Sequence, residues 1–264
     1  ESANCQLVRH ATPAGSICLL GAPADRVQAM LPIMPSIAIA HRSTVMPLVT
    51  TRAAAERPQS PGEEVANSVI HGLALLAAIA AVPFLFVSTR SLSAAEIVGH
   101  SVFAATMMLL YLTSTLFHAL PAGRAKRVFL KLDHCAIYIL IAGSYTPFAL
   151  GALHGAWGWI LFGLVWSLAA FGVVMKAFDR LSHPWLSLGL YLLMGWLVLI
   201  AAVPLVEHVP RHGIELLVAG GLAYTVGIVF FALGSRFRYA HALWHAFVVA
   251  GSVCHYFAVL GYAS

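Results

Sequence analysis

From residue 65 onward the chain is dominated by seven apolar stretches, each about the length needed to cross a bilayer as a helix. They run from Val65 to Val87, Ile97 to His118, Leu132 to Leu153, Trp157 to Lys176, Trp185 to Val206, Ile214 to Leu233 and Ala242 to Tyr262. Lipid offers no partner to a backbone N–H or C=O, so segments of this kind close their hydrogen bonds internally, as helices. The expected fold is an all-α integral membrane protein with seven transmembrane helices over residues 62–264. Composition agrees, because only 9% of residues are charged, against about 25% in a soluble domain. The net charge of +5 does not point to nucleic acid, since the basic residues sit in short connections between apolar runs. Membrane lipids are the expected partners.

That placement encodes orientation. The connection after the second stretch carries Arg124, Lys126, Arg127 and Lys131, that after the fourth Lys176 and Arg180, and that after the sixth Arg236 and Arg238. The other three connections carry only Arg90 and Arg211. The positive-inside rule therefore puts the N-terminus in the cytoplasm and the C-terminus outside. Pro147 is expected to kink the third helix near Gly143 and Ser144. Trp157, Trp159 and Trp185 fall near segment ends, where an aromatic belt forms.

Residues 1–60 read differently, with scattered prolines, serines and arginines and one apolar stretch broken by Pro32 and Pro35. They are expected to be an unstructured extension, with Met46 as the natural start. Cys5, Cys18, Cys135 and Cys254 show no CxxC spacing, so neither a disulfide framework nor a thiolate metal site is indicated.

Ionisable groups inside spanning helices are costly, and each asks for a reason. With the orientation set by lysine and arginine alone, His118, Asp133, His241, His245, Glu64, Asn67 and His71 all fall within a turn or two of the cytoplasmic side. Ser114 and His118 are four apart, as are His241 and His245, so each pair shares a helix face. Three imidazoles with an open fourth position form the ligand set of a catalytic zinc site. Asp133 is then positioned as a base or as the holder of a water, and Ser114 as the group that orients His118 or that water. His134 and His71 compete as ligands, although His134 follows Asp133 and points about 100° away on a helix. Glu64, Asn67 and His71 are read equally as a polar cap on the first helix or as part of the chemistry. His100, His154, His183, His208, His212 and His255 are read as interfacial side chains.

The segments "EEVANSVIHG", "STLFH", "LDHCAIYILIAGSYTP" and "HALWH" occur in the order seen in the bacterial hemolysin III family, over roughly residues 62–262. That family resembles, more distantly, the progestin and adiponectin receptor family, within a seven-helix superfamily that includes alkaline ceramidases. The resemblance implies location in the bacterial inner membrane and a Zn²⁺ ion held by His118, His241 and His245 near the cytoplasmic face. Asp133 and Ser114 match the family's further polar positions. Three functions follow as expectations. The first is a zinc-dependent hydrolase of lipid amides, with Asp133 and Ser114 as catalytic residues. The second is a membrane-homeostasis or receptor-like protein with structural zinc. The third is a cytolytic protein, to which the sequence lends little, since no amphipathic helix suited to a pore lining is evident.

Overall fold

A computed structural model of the chain describes residues 57–87, 93–153, 155–181 and 184–263. The expectations for the N-terminal extension, including the start at Met46, lie outside the described residues apart from 57–60. The described residues are helical, with seven helical segments long and apolar enough to cross a membrane. The first span comprises α1 (Pro61–Ala81) and the short α2 (Phe84–Val87). The second, third and fourth are α3 (Ala94–Ala119), α4 (Arg124–Leu150) and α5 (Gly155–Ala177). The fifth is interrupted: α6 (Pro184–Gly195) passes through a 3₁₀ turn (Leu197–Ala201) into α7 (Ala202–His208). The sixth and seventh are α8 (Arg211–Leu233) and α9 (Ala240–Tyr262). Helical spans of this length belong to the inner-membrane type of multi-pass protein, since outer-membrane spans are strands closed into barrels.

Local sequence sets the helix starts. Before α3, Ser93 accepts a bond from the Glu96 N–H and the Glu96 carboxylate accepts one from the Ser93 N–H at 2.6 Å, which satisfies two orphan donors. Before α1, Glu63 accepts from the Ser60 N–H at 2.9 Å, and Pro61 occupies the first turn, where its missing N–H costs nothing. Glu63 also binds Arg57 through both guanidinium nitrogens and accepts the Tyr239 N–H at 2.9 Å. This one carboxylate therefore ties the start of α1 to the turn that launches α9, a turn in which Tyr239 adopts a left-handed φ of 60°.

The bundle is built around α3 and α4, whose inward faces carry Phe103, Ala104, Tyr138 and Ala142, all essentially inaccessible. Close approach of the two helices requires Gly143, because a Cβ there would collide with the side chain of Thr106. Outward faces are apolar as well: Leu73 and Leu76 on α1 are more than 60% exposed, as lipid-solvated side chains should be. Trp157, Trp159 and Trp185 are exposed near span ends, where the belt was expected.

Three details differ from the sequence expectation. The basic segment from Arg124 to Lys131 is not a connection but the first turns of α4, since Ala, Lys, Arg and Leu are strong helix formers and long cations extend toward water from a helix end. The fifth span breaks near its middle. There the Tyr145 hydroxyl donates toward the Met194 and Gly195 carbonyls at 2.8 Å and accepts the Val198 N–H at 3.0 Å, so the freed backbone groups are satisfied by a side chain. His100 is buried, with its Nδ1 2.7 Å from the Glu96 carbonyl, rather than lying at the interface.

Candidate metal centre

The histidines expected to act together are brought together by two helices. His118 is the penultimate residue of α3, and His241 and His245 occupy the first two turns of α9. One ring nitrogen from each lies within 4.8 Å of the others, so the trio could hold a metal ion. His118 and His245 are buried, and His241 is half-buried. His71 and His134, the competing candidates, are not part of this trio.

The outer nitrogen of each deep imidazole is engaged by α1. The Nδ1 of His118 lies 2.7 Å from Glu64 Oε2, and the other oxygen of Glu64 pairs with Lys126 at 2.9 Å. A carboxylate only accepts, so Nδ1 of His118 carries the proton and Nε2 presents a lone pair. The Nδ1 of His245 lies 3.1 Å from Nε2 of His71. With that nitrogen as donor, His245 likewise turns its Nε2 lone pair inward. The two Nε2 atoms face each other at 3.1 Å. Two lone pairs at that separation repel unless a cation sits between them, so this arrangement of outer partners favours a shared positive ion. Carboxylate–histidine pairs of this kind orient and strengthen imidazole ligands.

Ser114 lies one turn before His118 on the same face, fully buried, with its hydroxyl lacking a hydrogen-bond partner among the described residues. Asp133, in the third turn of α4, is 9% exposed and neighbours Ser114. Neither residue belongs to the histidine trio, and both stand beside it. The centre opens on a cavity of about 780 Å³ whose lining includes His71, Asp133, His241 and His245 at one end. The remaining wall is largely apolar, formed by side chains such as Ile137, Leu140, Phe148, Leu192, Trp196 and Val248. This volume falls in the usual range for small-molecule sites.

The role of the first helix was ambiguous in the sequence. Glu64, Asn67 and His71 are not merely a polar cap: Glu64 and His71 each meet an imidazole of the trio, and Asn67 Nδ2 lies 3.4 Å from His118 Nδ1. Their three- and four-residue spacing signalled a shared face but not which helix that face would meet. Among the histidines expected at the interface, His208 and His212 are exposed near a membrane edge, whereas His255 lines the cavity. His154 and His183 lie outside the described residues.

Comparison with known proteins places these features in a family. The profile of the family described as "Haemolysin-III related" matches residues 60–256. The chain is 41% identical to "Hemolysin-3" of Bacillus cereus over 201 residues, covering 76% of this chain and 91% of the relative. It is 43% identical to the "Hemolysin-3 homolog" of Bacillus subtilis (strain 168), covering 76% and 94%. A more distant likeness, 30% over 162 residues, covers 58% of the chain and 65% of the human "Monocyte to macrophage differentiation factor". The "Adiponectin receptor protein" of Drosophila melanogaster is 26% identical over 245 residues, 82% of this chain and 54% of the relative. No solved structure matches. With seven spans, the ordered histidine motifs and a family profile that covers most of the described helices, the chain belongs to the haemolysin-III related family of membrane proteins.

Proposed function

We propose that the trio holds zinc and that the chain hydrolyses an amide bond in a membrane lipid. The observation that carries this reading is the convergence of three imidazole nitrogens beside a buried carboxylate and hydroxyl at the polar end of an apolar cavity. The donor set fits zinc. Imidazole nitrogen suits a borderline metal, and two tetrahedral ligands at about 2.0–2.1 Å lie about 3.3 Å apart, close to the 3.1 Å between the His118 and His245 nitrogens. Only three protein ligands converge among the described residues, the pattern of a catalytic rather than a closed structural site.

His118, His241 and His245 would hold the ion, which when bound supplies a Lewis acid for the carbonyl and acidifies a water. The chain's own residues supply the rest. The cavity wall seats the acyl chain and excludes bulk water. Asp133 takes a proton from the attacking water and passes it to the amide nitrogen. Ser114, whose buried hydroxyl lies beside the Asp133 carboxyl, orients that water or the carbonyl. Overall, water adds across the C–N bond: its oxygen joins the acyl carbon and a proton joins the departing nitrogen.

Asp133→Asn tests the reading. The amide keeps the volume of the side chain but cannot take a proton. Zinc content should stay near wild type while amide hydrolysis falls by about 10²–10⁴-fold, the usual contribution of a general base. Wild-type protein with full zinc and no turnover on a broad panel of amide and ester lipids would instead support structural zinc in a receptor-like or homeostatic protein.

A further inference from the structure

The cavity has a second polar corner, separate from the three histidines. It is formed by His134 on α4, Lys176 at the end of α5, and Trp185, Ser187 and Tyr191 in the first turns of α6. Lys176 forms no ion pair among the described residues, and the nearby Asp179 is taken by Lys131 at 2.6 Å. Ser187 is 4% exposed, and its hydroxyl meets no well-formed hydrogen-bond partner among the described residues. The ring of Tyr138 lies tilted against Tyr191 at 4.4 Å between ring centres and adjoins Ser187, and neither its hydroxyl nor Nδ1 of His134 has a well-formed hydrogen-bond partner among the described residues. Buried polar groups are seldom left unpaired, because each then forfeits its solvation for nothing. Ser187 and His134 line the cavity beside one unpaired ammonium, with Tyr138 directly behind them, and together they describe a site able to hydrogen-bond a ligand.

The corner adjoins the metal centre. Asp133 and His134 are consecutive on a helix, so their side chains diverge by about 100°. One lies beside Ser114, and the other is within electrostatic reach of both His118 and Lys176. A lipid with its chain along the apolar wall and its amide at the histidine trio would project the amine half into this corner. Among the described residues Asp133 is the only carboxylate lining the cavity, and Arg57, another cation in the lining, is already paired with Glu63. A cationic amine half finds no acid here. A negative one finds an ammonium, hydroxyls and a ring nitrogen.

We propose that this corner is a subsite for the amine half of the substrate, and that this half carries an anion, a carboxylate or a phosphate. The proposal rests on the lipid-amide hydrolase reading of the metal centre. The substrate class is then an acyl amide whose nitrogen bears a small acidic group, rather than one ending in neutral hydroxyls.

The test uses full-length, zinc-loaded protein in detergent. Binding of N-oleoylglycine, of phosphorylated N-oleoylethanolamine and of neutral N-oleoylethanolamine is followed by tryptophan fluorescence, with Trp185 as the local reporter. Wild type should bind at least one of the anionic lipids about tenfold tighter than the neutral one, as expected for a charge-assisted contact, and the stronger of the two identifies carboxylate or phosphate. Lys176→Met should erase that preference without changing neutral binding or zinc content, and Ser187→Ala should reduce it. Equal affinity for all three in wild type, or a preference that survives both substitutions, overturns the subsite. Turnover of the same lipids separates the two claims. Cleavage of the neutral amide without anionic preference removes the subsite and leaves the hydrolase. Anionic preference without any cleavage leaves an anion-binding corner and removes the hydrolase.

Discussion

Glu64 provides the sharpest test of how the first helix serves the metal centre. Its carboxylate lies between His118 Nδ1 at 2.7 Å and Lys126 at 2.9 Å, and its side chain is one-quarter exposed. Glu64→Gln keeps an acceptor in place but removes the charge. A hydrogen bond to a charged group contributes about 1.5–3 kcal/mol and a neutral one about 0.5–1.5 kcal/mol, so the loss is about 1–1.5 kcal/mol, or about tenfold in metal affinity. Glu64→Ala goes further, because the N–H of His118 then faces only the Asn67 amide nitrogen at 3.4 Å, another donor. A buried unpaired donor costs about 1–3 kcal/mol, which brings the alanine variant toward the 100-fold end of the range seen for residues behind metal ligands. Zinc affinity is read by competition with a fluorescent chelator in detergent. Glu215→Gln serves as control, since Glu215 pairs with Arg211 and His212 at the other end of the bundle. Wild-type affinity in both Glu64 variants would refute the orienting role. Zinc loss in Glu64→Gln as complete as in His118→Ala would make Glu64 a ligand instead.

Two further predictions concern the scaffold. Reporters fused after the last helix should be active outside the cytoplasm, as the lysine and arginine distribution requires; cytoplasmic activity there would reverse the orientation and place the metal centre at the outer face. Gly143→Ala should lower thermal stability by about 1–3 kcal/mol through overpacking against Thr106, and adding Thr106→Ala should recover part of that loss; a neutral Gly143→Ala would mean that α3 and α4 do not approach so closely.

Span existence was legible because lipid imposes a length and a composition that little else in a protein sequence imitates. The histidine trio was legible because four-residue spacing keeps two side chains on one face and the basic residues set a common depth for the two helices that carry it. What stayed hidden depended on contacts between distant segments. Glu64 and Glu63 are adjacent and chemically identical, yet one reaches His118 and the other anchors Arg57 and the Tyr239 backbone. Nothing local distinguishes them; the 100° step of the helix does. The break after Gly195 was equally invisible, because Leu197–Ala201 is as apolar as any helix interior, and its stability depends on Tyr145 from another span. His255 read as interfacial because a single histidine near a chain end gives no sign of the cavity it lines.

The central claim is that His118, His241 and His245 form one metal centre. Elemental analysis of purified full-length protein tests it most directly, with wild type compared with the three single alanine variants and with His134→Ala and His212→Ala. Wild type should hold about one zinc per chain, each variant of the trio should lose it strongly, and the other two should keep it. Full zinc in His118→Ala together with loss in His134→Ala would contradict it.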